Sequence, residues 1–141
     1  MLPREPILPF SRPEIGEEEI AEVVACLRSG WITTGPRAAR LEQEFAAAVG
    51  ARHALAFSSG TGALHATLLA LDLQAGDEVV VPALTWPSTA NMVVACGGVP
   101  VFADIDPSTW NLDPAALGAR LGPRTRLVIP VHFAGLPCDL D

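Results

Sequence analysis

Ala54-Leu55-Ala56-Phe57-Ser58-Ser59-Gly60-Thr61-Gly62-Ala63-Leu64-His65-Ala66 is the stretch on which the reading of this chain turns. Small and apolar residues up to Phe57 predict a short buried strand over His53–Phe57. Ser58 to Gly62 then predicts a tight turn, and a helix follows over Gly60–Leu71. Such a turn aims free backbone N–H groups and the positive end of a helix dipole at one point, the environment that suits a phosphate. Gly60 and Gly62 allow close backbone approach, and Ser59 and Thr61 offer hydroxyls. An ordinary strand-to-helix turn with a serine N-cap has the same local sequence, so the two readings stand side by side. Gly60-x-Gly62 begins a dinucleotide fingerprint, but His65 occupies the third glycine position. No Gly-Lys-Ser/Thr is present, so a P-loop is excluded.

On the amino-terminal side, residues 1–13 are proline-rich and expected to be extended. A helix is predicted over Glu17–Ser29, where Ile20, Val23, Val24 and Leu27 share a face and Gly30 is a natural stop. The loop Trp31-Ile32-Thr33-Thr34-Gly35 leads to a second helix over Pro36–Val49. Pro36 suits its first turn, and Gly50 ends it. Residues 1–50 therefore read as a helical segment. On the carboxyl side the chain alternates. Strands are predicted at Glu78–Val81, Val99–Ala103 and Leu127–Val131, and helices at Pro87–Cys96 and Pro114–Leu121. Asp113 is a fitting N-cap for the last helix. Val79-Val80-Val81 and Leu127-Val128-Ile129 read as strands buried on both faces, as a parallel sheet requires. Such alternation implies an α/β fold with right-handed crossovers and helices on both sides of the sheet.

Composition narrows the class. The chain has 141 residues, half of them hydrophobic and 18% charged, which is enough apolar material for a packed core. Its net charge of −7 argues against a nucleic-acid surface, which needs clustered basic residues. No apolar run approaches membrane-spanning length and the first residues lack a signal peptide's apolar centre, so a cytoplasmic location is expected. Cys26, Cys96 and Cys138 are widely spaced and read as reduced, packed thiols. All nine basic residues are arginine, and there is no lysine. The end at Asp141, just after a predicted buried strand, reads as a truncation.

Several side chains are candidates for chemistry. Trp86 follows the second predicted strand and therefore sits at the carboxyl end of the sheet, where open α/β folds bind ligands. Its ring could stack on a flat ligand, or pack beneath the loop. Trp110 lies in what reads as a turn and is given no chemistry. His132 closes the last predicted strand and could face the same crevice, while His53 and His65 read as structural. The histidines lack close carboxylate or thiol company, so no metal site is expected. Asp104 and Asp106 bracket a strand end, where loop capping accounts for them better than catalysis does.

Taken together, Gly30-Trp31-Ile32-Thr33-Thr34-Gly35-Pro36, Ser59-Gly60-Thr61-Gly62-Ala63-Leu64, Gly76-Asp77-Glu78-Val79-Val80-Val81-Pro82-Ala83, Thr85-Trp86, Gly98-Val99-Pro100-Val101-Phe102-Ala103-Asp104 and Pro130-Val131-His132-Phe133-Ala134-Gly135 occur in a familiar order and spacing. In these segments the chain resembles the amino-terminal portion of the DegT/DnrJ/EryC1/StrS aminotransferases, from about Pro9 to Asp141. The resemblance implies pyridoxal 5'-phosphate as cofactor and an incomplete three-layer, mainly parallel large domain of the aspartate-aminotransferase fold. Residues 51–141 would be the first part of that domain, with later strands and the small domain missing.

The resemblance also implies roles. Gly60, Thr61 and Gly62 would hold the cofactor phosphate, with Gly62 standing where an alanine is expected. Trp86 would stack on the pyridine ring, and Thr33, Thr34 and Gly35 would help to bind substrate. The Schiff-base lysine and the aspartate that pairs with the pyridine nitrogen would lie beyond residue 141, so the whole protein is expected to be an aminotransferase and this chain alone inactive. The implied partners are a nucleotide-linked keto sugar and an amino donor such as glutamate, in a homodimer. Relatives that dehydrate the sugar, and a non-catalytic binding module, are the alternatives. The same topology separates His53–Phe57 from its usual neighbours, so its edges would be unpaired and the isolated chain poorly soluble or molten.

Overall fold

The computed structural model describes residues 12–140. The expectation of an extended segment over residues 1–13 lies almost wholly outside them. The chain divides into two compact units, the first ending at Ala56 and the second beginning at Phe57.

In the first unit, α1 spans Glu17–Ser29 and α2 spans Pro36–Val49, as the apolar spacing predicts. Glu17, Glu18 and Glu19 occupy the first turn of α1, where negative charge complements the dipole. The Glu19 carboxylate accepts the Gly16 N–H at 2.6 Å. Gly30 and Gly50 stop the two helices at φ of 73° and 68°, a left-handed conformation that costs glycine little. Glu22 pairs with Arg37 and Arg40, tying α1 to α2. The apolar stripes of both helices are uncovered: Val23 and Leu27 of α1, and Leu41, Phe45 and Val49 of α2, are exposed.

The predicted strand at His53–Phe57 does not form. A strand exists through hydrogen bonds to a neighbour, and this segment belongs to no ladder. The Ala56 N–H instead donates to Glu42 Oε1 at 2.9 Å, and Leu55 is 75% exposed.

The second unit begins with α3 (Gly60–Ala70) and continues through β1 (Glu78–Pro82), α4 (Ser88–Ala95), β2 (Val99–Ala103), α5 (Pro114–Gly118) and β3 (Thr125–Val128) to a 3-10 turn at Phe133–Gly135. The three strands are parallel in the order β2-β1-β3. In the central strand, Val79, Val80 and Val81 are fully buried. The pleat sends them to opposite faces. Val79 and Val81 join Leu68 of α3, Leu73, and Val93 of α4, whereas Val80 joins Ala103 and Leu112, with Ala116 and Leu117 of α5 packed against them. Helices thus cover both faces, giving three layers around an incomplete parallel sheet. Each buried valine contributes about 1.5–3 kcal/mol.

β3 departs from expectation. It is an edge strand, and Val128 is 37% exposed rather than buried on both faces. It ends at Val128, with one further ladder bond from the Ile129 N–H to Val80 O at 2.9 Å. Its start is pinned by Arg124, which donates to Glu78 Oε1 at 2.9 Å through Nε and 2.6 Å through Nη2. α5 is shorter than predicted because Gly118, a poor helix former, ends it. Asp113 caps it as expected, accepting the Ala115 N–H at 2.9 Å. Cys26 and Cys96 are half-buried thiols and Cys138 is buried. No helix among the described residues is long and apolar enough to cross a membrane.

Candidate functional site

In a parallel sheet each connecting helix runs back against its strands. α4 connects β1 to β2, so its amino terminus opens at the carboxyl edge of the sheet, where β1 ends at Pro82, and α3 leads into β1 and packs against α4. At α3, Ser59 Oγ accepts the Gly62 N–H at 3.1 Å, and Ser59 O accepts the Ala63 N–H at 3.1 Å. The N–H groups of Gly60 and Thr61 keep no intramolecular partner among the described residues. A Cβ added to Gly60 would meet nothing within 4 Å, so the approach to these donors is open. A Cβ on Gly62 would meet Ser59 Oγ at 3.4 Å, an ordinary contact, so alanine would fit there. The serine cap and an anion cradle are thus compatible: the cap uses one N–H and leaves two.

Trp86 lies at the carboxyl edge of the sheet, in the loop between β1 and α4. Its main chain is fixed by the Thr89 N–H, which donates to Trp86 O at 3.0 Å. Thr85 Oγ1 and Thr89 Oγ1 share a hydrogen bond of 3.0 Å, with Thr89 buried. The ring is nonetheless 75% exposed, so it is not packed beneath its loop. An anchored backbone carrying an uncovered indole is a surface on which a planar ring can stack.

Thr33, Thr34 and Gly35 belong to the first unit, in the loop between α1 and α2. The indole Nε1–H of Trp31 donates to Thr34 O at 3.0 Å. The hydroxyls of Thr33 and Thr34 have no intramolecular partner among the described residues. Trp31, Thr33, Arg37 and Arg40 border a cavity of about 450 Å³ in this unit.

Of the remaining candidates, the side chains of Asp106 and His132 bond to their own local backbone. Asp106 Oδ1 accepts both the hydroxyl and the N–H of Ser108 at 2.7 Å, and these bonds hold its carboxyl below the usual aspartate range. Asp104 O accepts the Asp113 N–H at 3.1 Å. His132 lies beyond β3 rather than at its end, and its Nδ1 accepts the Cys138 N–H at 2.9 Å. That bond assigns the neutral ring's proton to Nε2. The described residues hold no group of three metal-ligating side chains.

One residue escaped the sequence reading. Asn111 is buried; its Nδ2 donates to Leu136 O and Pro137 O at 3.1 Å each, and its Oδ1 accepts the Phe133 N–H at 2.9 Å. It clamps the segment after β3. Its partners lie 22 to 26 residues away, so no local pattern signals them.

Solved structures share this architecture. A protein described as a sugar aminotransferase, Spr1654 of Streptococcus pneumoniae in its PMP form, is 40% identical with a TM-score of 0.88, covering 94% of this chain and 33% of its own. A 3-amino-5-hydroxybenzoic acid synthase is 40% identical with a TM-score of 0.86, covering 98% and 36%. The E. coli GDP-4-keto-6-deoxy-D-mannose-3-dehydratase, with hydrated PLP bound, is 28% identical with a TM-score of 0.85, covering 90% and 34%. The chain thus spans about a third of the length of these relatives. Pyridoxal phosphate or its amino form is present in several such structures. With residues 13–141 matching the family as a whole, the chain belongs to the pyridoxal-phosphate-dependent DegT/DnrJ/EryC1/StrS aminotransferase family.

Proposed function

We propose that this chain is the phosphate-anchoring and ring-stacking part of an aminotransferase that delivers an amino group, taken from glutamate, to a nucleotide-linked keto sugar. The observation that supports the reading is a pair of N–H groups, at Gly60 and Thr61, without intramolecular partners among the described residues, together with the uncovered Trp86 ring.

Those residues fit pyridoxal phosphate. The N–H groups of Gly60 and Thr61, with the Thr61 hydroxyl, would hold its phosphate, aided by the positive end of α3. Trp86 would cover one face of its ring and keep water from it. When bound, the cofactor supplies an aldehyde that exchanges amines and a ring that takes up negative charge. Thr33 and Thr34 would offer hydroxyls to a sugar, and Gly35 would complete their loop. The chain contains no lysine, so the reading requires a lysine and a pyridine-pairing aspartate from other residues of the polypeptide, in a homodimer.

The test is Trp86→Ala in the full-length protein. Loss of stacking should weaken cofactor binding by about 1 kcal/mol, roughly fivefold in Kd, read by absorbance titration. Unchanged affinity would remove Trp86 from the site.

A further inference from the structure

We infer that Trp31 is a positioning residue for the Thr33–Thr34–Gly35 loop and that Gly35 is glycine because the Trp31 ring lies on it. A Cβ built on Gly35 would overlap the indole Nε1 and sit 2.6 Å from Cδ1 and Cε2. The backbone of Gly35 is extended, at φ of 179°, a conformation any residue adopts. Its requirement for glycine is therefore steric.

The ring does more than occupy space. Its Nε1–H donates to Thr34 O at 3.0 Å, closing the loop on itself. The loop's entry is tied to the end of α1, since Ser29 Oγ accepts the Trp31 N–H at 3.1 Å and the Cys26 thiol donates to Trp31 O at 3.3 Å. Its exit is tied to α2, where Gly35 O accepts the Ala39 N–H at 3.0 Å. The two ends and the middle are all held, while the hydroxyls of Thr33 and Thr34 have no intramolecular partner among the described residues. A hydroxyl-rich ligand would meet donors already in place, which lowers the ordering cost of binding. This role rests on the reading of the loop as a substrate contact.

The experiment separates the two claims. In the ¹⁵N-labelled full-length protein, the Trp31 indole N–H, assigned by Trp31→Phe, should exchange with solvent about fivefold more slowly than that of Trp86, assigned by Trp86→Phe, the factor one net hydrogen bond gives. Gly35→Ala should abolish that protection. In the holoenzyme, Gly35→Ala should raise KM for the keto-sugar nucleotide about tenfold while kcat and cofactor absorbance hold, since lost preorganisation falls on binding. With Trp31→Ala as background the ring is gone, and adding Gly35→Ala should cost nothing further. Trp31→Phe, which keeps the ring and drops the N–H, should shift KM the same way to a lesser degree, and it serves where Gly35→Ala fails to fold. Equal exchange for the two indoles, or a Gly35→Ala effect independent of Trp31, overturns the clamp. A clamp lost with KM unchanged overturns the loop's substrate role, and the positioning role with it, while the cofactor reading stands.

Discussion

Asp106 shows how a single side chain can look catalytic and serve a turn. Its carboxylate collects the hydroxyl and N–H of Ser108, and both bonds favour the ionised form, so its folded pKa is depressed. A depressed carboxylate contributes stability above its unfolded pKa of about 3.9 and loses it as pH falls through the folded value. Asp106→Asn should therefore destabilise the chain at neutral pH and make no difference once the pH is below the folded pKa. Urea titrations of the full-length protein and its Asp106→Asn variant at neutral and strongly acidic pH check this. Two neighbours illustrate a different cost. Trp110 sits at φ of 64°, left-handed for a residue with a Cβ, and its ring packs against Phe133 with centroids 5.4 Å apart. A strain of about 1–2 kcal/mol is opposed by the tilted ring contact, worth about 0.5–1.5 kcal/mol.

At the scale of elements, a single side chain makes three hydrogen bonds to the segment after β3. Asn111 satisfies two carbonyls and one N–H that would otherwise lack partners. Asn111→Ala should lower stability by about 2 kcal/mol, the cost of leaving buried groups unpaired, with no change in far-UV circular dichroism. Denaturant unfolding of the full-length protein measures it.

What could be read from the sequence follows the same division. Helices α1 and α2, the capped start of α5 and the valines of β1 depend on local spacing and caps, and all stand where expected. The strand at His53–Phe57 depended on neighbours the described residues do not supply, so its alternation could not decide its state. β3 was misjudged for the same reason, because a strand's burial depends on its place in the sheet. The serine-capped start of α3 was legible because glycine, hydroxyl and helix start are contiguous. Trp86's exposure and the Asn111 clamp were not, since tertiary packing sets both.

At the scale of the whole molecule, the apolar surface is large. Ile20, Val23 and Leu27 of α1, and Leu41, Phe45 and Val49 of α2, are between 46% and 62% exposed. Patches of that kind mark surfaces that associate. The 141-residue chain alone should bind a hydrophobic dye strongly and elute above monomer size. A monomer with weak dye binding and a single sharp unfolding transition would count against this. Net charge of −7 slows association but does not cover the stripes.

The central strand has a consequence of another kind. Val79 and Val81 look one way and Val80 the other, so β1 is a partition between two rooms that share a wall and no furniture. A change at Val80 is felt first by Leu112 and the α5 side, and a change at Val81 by Leu68 and Val93. Substitutions on the α5 side therefore meet different neighbours from those on the α3–α4 side, where Gly60, Thr61 and Trp86 lie at or beside the helix starts.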